Sequence, residues 1–114
     1  MMTEPEDPKG PEANANWTVK QWCDAAHKVA REKGWWDGVG RPVTDLLMLI
    51  ADEVFEAFRE YRNHRPENIG PELADVVIRV FDACEGLGID LQTEIANKHE
   101  INRRRPHRHG GKLL

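Results

Sequence analysis

The segment VTDLLMLIADEVFEAFREYRN, residues 43–63, predicts the longest helix of this chain. Apolar residues recur in it every three or four positions and form one wide stripe, while charged residues occupy the rest of the helical turn. The stripe comprises Leu46, Leu47, Ile50, Val54, Ala57, Phe58 and Tyr61. The segment therefore has the pattern of an amphipathic helix rather than of a strand.

Three further helices are predicted on either side of this segment. Thr18 and Gln21 have the spacing of a capping box and precede a helical pattern that stops at Gly34. Pro71 is suited to the first position of a third helix, and Asp90 to the cap of a fourth. Because no segment alternates with period two and the connections are short, the chain is predicted to be all-α, a four-helix antiparallel bundle.

Length and composition indicate one small domain with a modest core. The chain has 114 residues, of which 39% are hydrophobic. Small domains bury a smaller fraction of their surface, so hiding one more apolar face in an assembly would stabilise the fold. We therefore expect a homo-oligomer, either a homodimer or a dimer of dimers, to complete the bundle.

Both ends of the chain differ in composition from its middle. Residues 1–16 contain four carboxylates and three prolines without an apolar stretch, so they predict a disordered tail and lack the hydrophobic region of a signal peptide. Residues 17–106 form the predicted helical domain, and 107–114 a basic, glycine-rich tail. No apolar run approaches the length of a membrane span. A cytoplasmic protein is expected.

The charge is distributed unevenly along the chain. Residues 1–97 carry ten lysines and arginines against nineteen acids, whereas residues 98–112 carry six against one. Such a division is typical either of a basic arm that binds nucleic acid or of a basic wall that faces an acidic metal site. The bulk charge does not distinguish the two.

Two pairs of carboxylates have the spacing of one helical face. Glu53 and Glu56 are three residues apart on the second helix, and Glu72 and Asp75 are three apart on the third. In an antiparallel hairpin the pairs can meet and offer the hard oxygen ligands that Mg²⁺ prefers. The alternative is two solvated acidic faces, since this spacing is common on soluble helices.

Candidate partners for a phosphate lie further along the chain. Lys98, Asn102 and Arg105 form one stripe of the fourth helix, and the lysine of Gly110-Gly111-Lys112 sits in a segment able to close as a lid. Trp36, next to Trp35, is a candidate for stacking on a base, although large aromatic residues at a helix junction are more often packing anchors.

Two residues continue the stripe of the third helix beyond its acids. Arg79 and Asp82 follow Asp75 at spacings of four and three. They suggest either supporting contacts for a metal site or an exposed ion pair. For Asp82 we favour the ion pair.

These motifs resemble those of MazG-like nucleoside triphosphate pyrophosphohydrolases, which belong to the all-α NTP pyrophosphatase superfamily. Asp52-Glu53-x-x-Glu56 and Glu72-Leu-Ala-Asp75 are similar to the family's E-E-x-x-E and E-x-x-D signature. Residues 86–91, GLGIDL, and the spacing of Lys98, Asn102, Arg105, His109 and Lys112 are similar to its C-terminal half. The resemblance covers residues 46–112. Asp52 departs from the usual glutamate, so we leave it out of the metal site.

The resemblance implies hydrolysis of a nucleoside triphosphate, NTP or dNTP, to the monophosphate and pyrophosphate. It implies that Glu53, Glu56, Glu72 and Asp75 hold Mg²⁺, with Mn²⁺ as a substitute, and that Lys98, Asn102 and Arg105 approach the phosphates. Attack of an activated water on the α-phosphorus would follow, with Glu53 and Glu56 as the catalytic carboxylates.

Two alternatives remain open from the sequence. A phosphoribosyl-ATP pyrophosphohydrolase belongs to the same superfamily and uses similar carboxylates. A non-enzymatic helical dimer would instead bind nucleic acid through its basic C-terminal arm, from Arg103 onward. This second reading explains the charge distribution but not the two carboxylate pairs, so nucleic acid is the less expected partner.

Overall fold

A computed structural model of the protein describes residues 11–38, 40–111 and 113, and is helical throughout. Its main helices are α1 (Val19–Glu32), α2 (Val43–Arg62), α3 (Ile69–Gly86) and α4 (Leu91–Arg104), followed by the single turn α5 (Arg108–Gly111). Within these described ranges there is no β-strand. The all-α prediction is therefore confirmed.

Helix α1 begins at the predicted capping box. The Thr18 hydroxyl accepts a hydrogen bond from the Gln21 amide at 3.2 Å, and the Gln21 side chain accepts one from the Thr18 amide at 2.8 Å. Two backbone donors that have no partner inside the helix are satisfied in this way. The helix ends at Glu32, and Gly34 then takes the left-handed conformation that reverses the chain.

Helix α3 begins two residues earlier than predicted. A 3-10 turn, Pro66–Asn68, leads directly into Ile69, so Pro71 is the third helical residue rather than the first. The amide groups of the first turn have no partner inside a helix, and a proline at this position therefore costs no hydrogen bond. Pro71 therefore predicted the first turn of α3 correctly, but not the first residue of that turn.

Helix α4 begins where the sequence predicts. The Asp90 carboxylate accepts hydrogen bonds from the Thr93 amide at 3.2 Å and from the Thr93 hydroxyl at 2.8 Å, and these bonds lower the pKa of Asp90. The helix ends at Arg104, and Pro106 follows one residue beyond its cap. Asp90 is therefore the N-cap that the sequence suggested.

The two predicted tails are only partly described. Residues 1–10 lie outside the described residues, and Pro11–Asn14 form a 3-10 turn. At the other end, Arg108–Gly111 form the single helical turn α5 within the segment predicted as a basic, glycine-rich tail. Lys112 lies outside the described residues.

The core is formed mainly by α1, α2 and α3. Helix α3 packs against both α1 and α2, whereas the main contacts of α4 are with α1. The buried apolar side chains come from these three helices: Cys23, Leu46, Ala57 and Ala83. Closure of a four-helix bundle would need α4 to pack against α2 as well. The thin core agrees with the small size of the chain.

Only part of the apolar stripe of α2 faces the core. Leu46 and Ala57 are buried against the neighbouring helices, but six large apolar side chains lie on what we call the outer face of α2 and are each at least half exposed. They are Leu47, Met48, Val54, Phe55, Phe58 and Tyr61.

In the part of the chain that the structure describes, no helix is long and apolar enough to span a lipid bilayer.

Candidate metal and phosphate site

Packing of α2 against α3 brings the predicted carboxylate pairs together. Glu53, Glu72 and Asp75 each contribute one oxygen to a group whose members all lie within 4.8 Å of one another. Glu53 and Glu72 are partly buried, while Asp75 is exposed. Three oxygen ligands at this spacing from two rigid helices are a candidate site for a divalent cation. We call these three residues the carboxylate cluster.

Desolvation and charge repulsion both act on the carboxyl group of Glu72. Loss of solvent around its carboxyl group raises the pKa of Glu72, and the negative charges of nearby acids raise it further, in the order Glu56, Asp75, Glu53 and Glu60. Each of these effects disfavours the ionised form. A cation bound among the acids would reverse them, because it would favour the charged carboxylate.

The fourth predicted ligand, Glu56, lies beside the cluster rather than within it. Its carboxylate is more exposed than that of Glu53 and faces the Arg59 guanidinium at 3.5 Å. Glu56 nevertheless makes the largest single contribution to the charge repulsion that raises the pKa of Glu72. It is therefore close enough to interact with whatever the cluster holds, without being one of the three converging ligands.

An arginine neutralises part of the carboxylate cluster. The Nε atom of Arg79 donates a hydrogen bond to Oε1 of Glu53 at 3.0 Å, and the two side chains are only 28% and 17% exposed. The Arg79 guanidinium also lies 5.4 Å from the centre of the Trp35 ring. Arg79, on α3, thus links Glu53 of α2 to the loop between α1 and α2.

A cleft of about 250 Å³ opens beside the cluster. Two of the three acids, Glu53 and Asp75, line it together with cationic and aromatic side chains. The cations are Lys33, Arg41 and Arg79, and the aromatic residue is Trp35, which is 51% exposed. Hard anionic ligands beside cations and a half-exposed aromatic ring are groups that can bind a metal-bound nucleotide.

The structure corrects the expected positions of Trp36 and Asp82. The Trp36 indole is packed at the base of the loop, where its Nε1 donates to Asp82 at 2.9 Å and its ring covers Gly86. Asp82 is buried, not part of an exposed ion pair, and also bonds the Nδ1 atom of His27 at 2.9 Å. Trp36 is therefore a packing anchor, and Trp35 is the aromatic residue on the wall of the cleft.

The predicted phosphate-binding stripe on α4 is not brought to this cleft within one chain. Lys98, Asn102 and Arg105 are exposed, and none is among the described residues that line the cleft. Of their neighbours, Arg103 and Arg104 both bind the carboxylate of Glu100 at 2.7 Å. The role of the stripe in substrate binding stays a prediction from the family resemblance.

Sequence reasoning missed three residues of the cleft: Lys33, Trp35 as its aromatic wall, and Arg41. In the sequence, Lys33 stands at the end of a helical pattern, and this position does not predict a cleft. Arg41 carried a signal, because it lies in the same short loop as both tryptophans and its guanidinium is within 5.7 and 5.8 Å of their ring centres. An arginine beside two tryptophans in one loop suggests cation–π contacts.

Replacement of Glu72 by glutamine is expected to leave the metal-free protein equally or more stable at pH 7. The pKa of Glu72 is raised in the folded state, so its ionised form opposes folding at neutral pH. That cost disappears as the pH falls through the raised pKa, where the wild-type carboxyl group becomes neutral. The difference in melting temperature between the Glu72→Gln variant and the wild type, measured in EDTA, should therefore be smaller at pH 4 than at pH 7.

Glu67→Gln is the matched control for this prediction. Glu67 is an exposed glutamate in the 3-10 turn before α3 and is not a member of the carboxylate cluster. It should not reproduce the pH-dependent difference. A Glu72→Gln protein that melts below the wild type at pH 7 would show that the ionised Glu72 supports the fold, contrary to the repulsion described above.

No protein-family model, curated protein sequence or solved structure was found to match this chain. The resemblance to MazG-like enzymes therefore rests on the sequence motifs, and the site on its own geometry. That geometry provides an acidic group of Glu53, Glu72 and Asp75 that could hold a metal ion.

Proposed function

We propose that this protein is a Mg²⁺-dependent nucleoside triphosphate pyrophosphohydrolase of the MazG-like kind. The observation that carries the proposal is the convergence of Glu53, Glu72 and Asp75 within 4.8 Å of one another at a cleft that also contains arginine and lysine side chains. The substrate would be an NTP or a dNTP, and the products its monophosphate and pyrophosphate. Such an enzyme would work in the cytoplasm, which supplies both nucleotide and Mg²⁺.

The carboxylate cluster fits a small, hard cation. Mg²⁺ binds oxygen at about 2.0–2.1 Å, so two ligands on opposite sides of the ion are about 4.2 Å apart. Adjacent ligands of such an ion lie closer, about 2.9 Å apart, and only one pair among three ligands can be opposite. The oxygens of the cluster, all within 4.8 Å of one another, would therefore move together by side-chain rotation when an ion binds. Mn²⁺ accepts the same oxygen ligands and is expected to substitute. A bound ion would offset the phosphate charge and promote ionisation of the attacking water.

The side chains of the cleft divide the remaining tasks. Lys33 and Arg41, which line the cleft, are our candidates to bind the β- and γ-phosphates, and the half-exposed Trp35 is our candidate to contact a base. Glu56, which is close to the cluster but outside the group of three, is our candidate to accept a proton from water. The water oxygen forms a bond to the α-phosphorus, the bond to the bridging oxygen breaks, and pyrophosphate leaves.

The test of this proposal is pyrophosphate release from a panel of canonical and modified NTPs and dNTPs, with Mg²⁺ and with EDTA. Metal-dependent release is expected, and the panel would show which base and sugar are preferred. Phosphoribosyl-ATP belongs in the panel, because preferential hydrolysis of that compound would identify the related enzyme instead. Salt-dependent binding of DNA or RNA without turnover of any nucleotide would favour the helical binding module.

We also propose that a second copy of the chain covers the outer face of α2. At about 100 Å² of exposed surface for each of the six side chains, the face approaches the roughly 800 Å² per partner that a stable interface buries. Leu47 and Val54 are seven positions apart, as are Met48 and Phe55, and Phe55, Phe58 and Tyr61 follow at intervals of three, so all six share one side of the helix. Two such faces can pack against each other about a twofold axis. A homodimer, or a dimer of dimers, would supply the burial that the thin core lacks.

Phe55→Glu is expected to weaken the dimer at least about 100-fold, because the change puts a charge where an aromatic side chain would be buried. Phe55 is 61% exposed in the single chain, so the folded monomer should tolerate the substitution. Sedimentation equilibrium measures the association constant. Asn97→Glu adds the same charge on exposed α4 and should leave association unchanged. An undisturbed Phe55→Glu dimer would place the interface elsewhere.

A further inference from the structure

Arg79 occupies an unusual position for a residue beside a candidate metal site. Its guanidinium binds Glu53, one of the three members of the carboxylate cluster, at 3.0 Å. Both side chains are mostly withdrawn from water, so their attraction is screened less than that of a surface pair such as Arg59 with Glu56. Arg79 is thus a positive charge in direct competition with any cation that would bind Glu53.

From this geometry, and resting on the metal-dependent function proposed above, we propose that Arg79 is an internal counter-cation that sets the metal affinity of the cluster and is transferred to the substrate's phosphates. Without metal, Arg79 offsets the repulsion among the acids and holds Glu53 in place. With metal, Glu53 turns to the ion, and the guanidinium loses its carboxylate partner.

The surroundings of Arg79 indicate where the guanidinium would go. It lies 5.4 Å from the centre of the Trp35 ring and lines the same cleft as Lys33 and Arg41. A phosphate bound to the metal of the cluster would therefore lie next to a guanidinium whose planar donors match its oxygens. Arg79 would act as a positioning residue for Glu53 and as a phosphate ligand for the substrate, in alternation.

This exchange predicts opposite effects of one substitution on two measurements. An opposite charge within about 4–6 Å commonly changes the proton affinity of a carboxylate by one to three orders of magnitude, and competition with a metal ion acts in the same way. In Arg79→Gln we expect binding of Mn²⁺, without nucleotide, to become at least about tenfold tighter. Turnover of saturating nucleotide should fall about tenfold or more, because a phosphate ligand is lost.

The experiment is a titration of the full chain with Mn²⁺, followed through the electron paramagnetic resonance signal of the free ion. Arg79→Met is the second neutral variant, and Arg79→Lys, which retains the charge, should bind Mn²⁺ within about threefold of the wild type. Arg59→Gln removes an exposed arginine from a neighbouring acid and should also have little effect on Mn²⁺ binding. Helix content by circular dichroism verifies that each variant is folded.

The outcomes separate this inference from the proposed function. Tighter Mn²⁺ binding in both neutral variants supports the counter-cation even if no nucleotide is hydrolysed by the wild type. Unchanged or weaker binding in Arg79→Gln and Arg79→Met overturns it, even if the wild type is an active pyrophosphohydrolase. Absence of Mn²⁺ binding in all variants also overturns it. Equal behaviour of the lysine and glutamine variants would show that the charge is not what matters.

Discussion

A Glu53→Gln variant should lose about three orders of magnitude in kcat/KM for the hydrolysis of its nucleoside triphosphate. Glu53 is both a member of the carboxylate cluster and a wall residue of the cleft. Glutamine keeps the length of the side chain but loses the negative charge that holds a divalent cation. A loss of about 4 kcal/mol of transition-state stabilisation corresponds to about a thousandfold in rate. Pyrophosphate release at several Mg²⁺ concentrations measures it.

The neighbouring Asp52 provides the matched control. It lies on the same helix and is exposed, and it does not belong to the carboxylate cluster. Asp52→Asn removes the same charge and is expected to change kcat/KM by no more than about twofold, as a surface substitution does. If Glu53→Gln retains most of the activity at low Mg²⁺, the metal is held elsewhere and the proposed site is wrong.

A Gly86→Ala variant should unfold more easily than the wild type by about 2 kcal/mol. A methyl group on Gly86 would lie 2.2 Å from a carbon of the Trp36 ring, which is far inside van der Waals contact. The rigid indole must then move as a whole, and its hydrogen bond to the buried Asp82 would be strained. Chemical denaturation measures the free energy of unfolding, and the fluorescence of the tryptophans reports the displacement.

Gly70 is a matched control in the same helix. A methyl group there meets nothing within 4 Å, so Gly70→Ala should leave stability unchanged or raise it by about 0.5 kcal/mol through the smaller entropy of the unfolded chain. The two alanine substitutions are thus expected to differ in sign. A Gly86→Ala protein as stable as the wild type would show that the loop of Trp36 does not need its packing on α3.

The helices of this protein are encoded locally. The capping residues Thr18 and Asp90 bind their own backbones within three residues, and Gly34 follows α1 by only two. Such signals depend on neighbours in the chain, and for this reason the sequence located all four main helices. Proline is tolerated at several positions of a first turn, and for this reason the start of α3 predicted from Pro71 was displaced by two residues.

The carboxylate cluster could also be predicted, because its geometry follows from few conditions. Residues three apart share a helical face, and two antiparallel helices with a short connection must pack side by side. These conditions bring Glu53 close to Glu72 and Asp75 without knowledge of any other contact. Glu56 was expected as a fourth ligand, but its position beside the group depends on the rotation of α2 about its axis, which periodicity does not specify finely.

The rest of the site was decided by tertiary structure. Which tryptophan is packed depends on Gly86, fifty residues further along the chain, and the burial of Asp82 depends on His27 and Trp36. The partner of Arg79 is on another helix, and the other two cations of the cleft, Lys33 and Arg41, come from the end of α1 and the following loop instead of α4. By itself, therefore, the sequence determined the helices and the meeting of their acids, which depend on short-range periodicity. Only the folded chain determined which side chains surround those acids, because contacts between distant segments leave no periodic signal in the sequence.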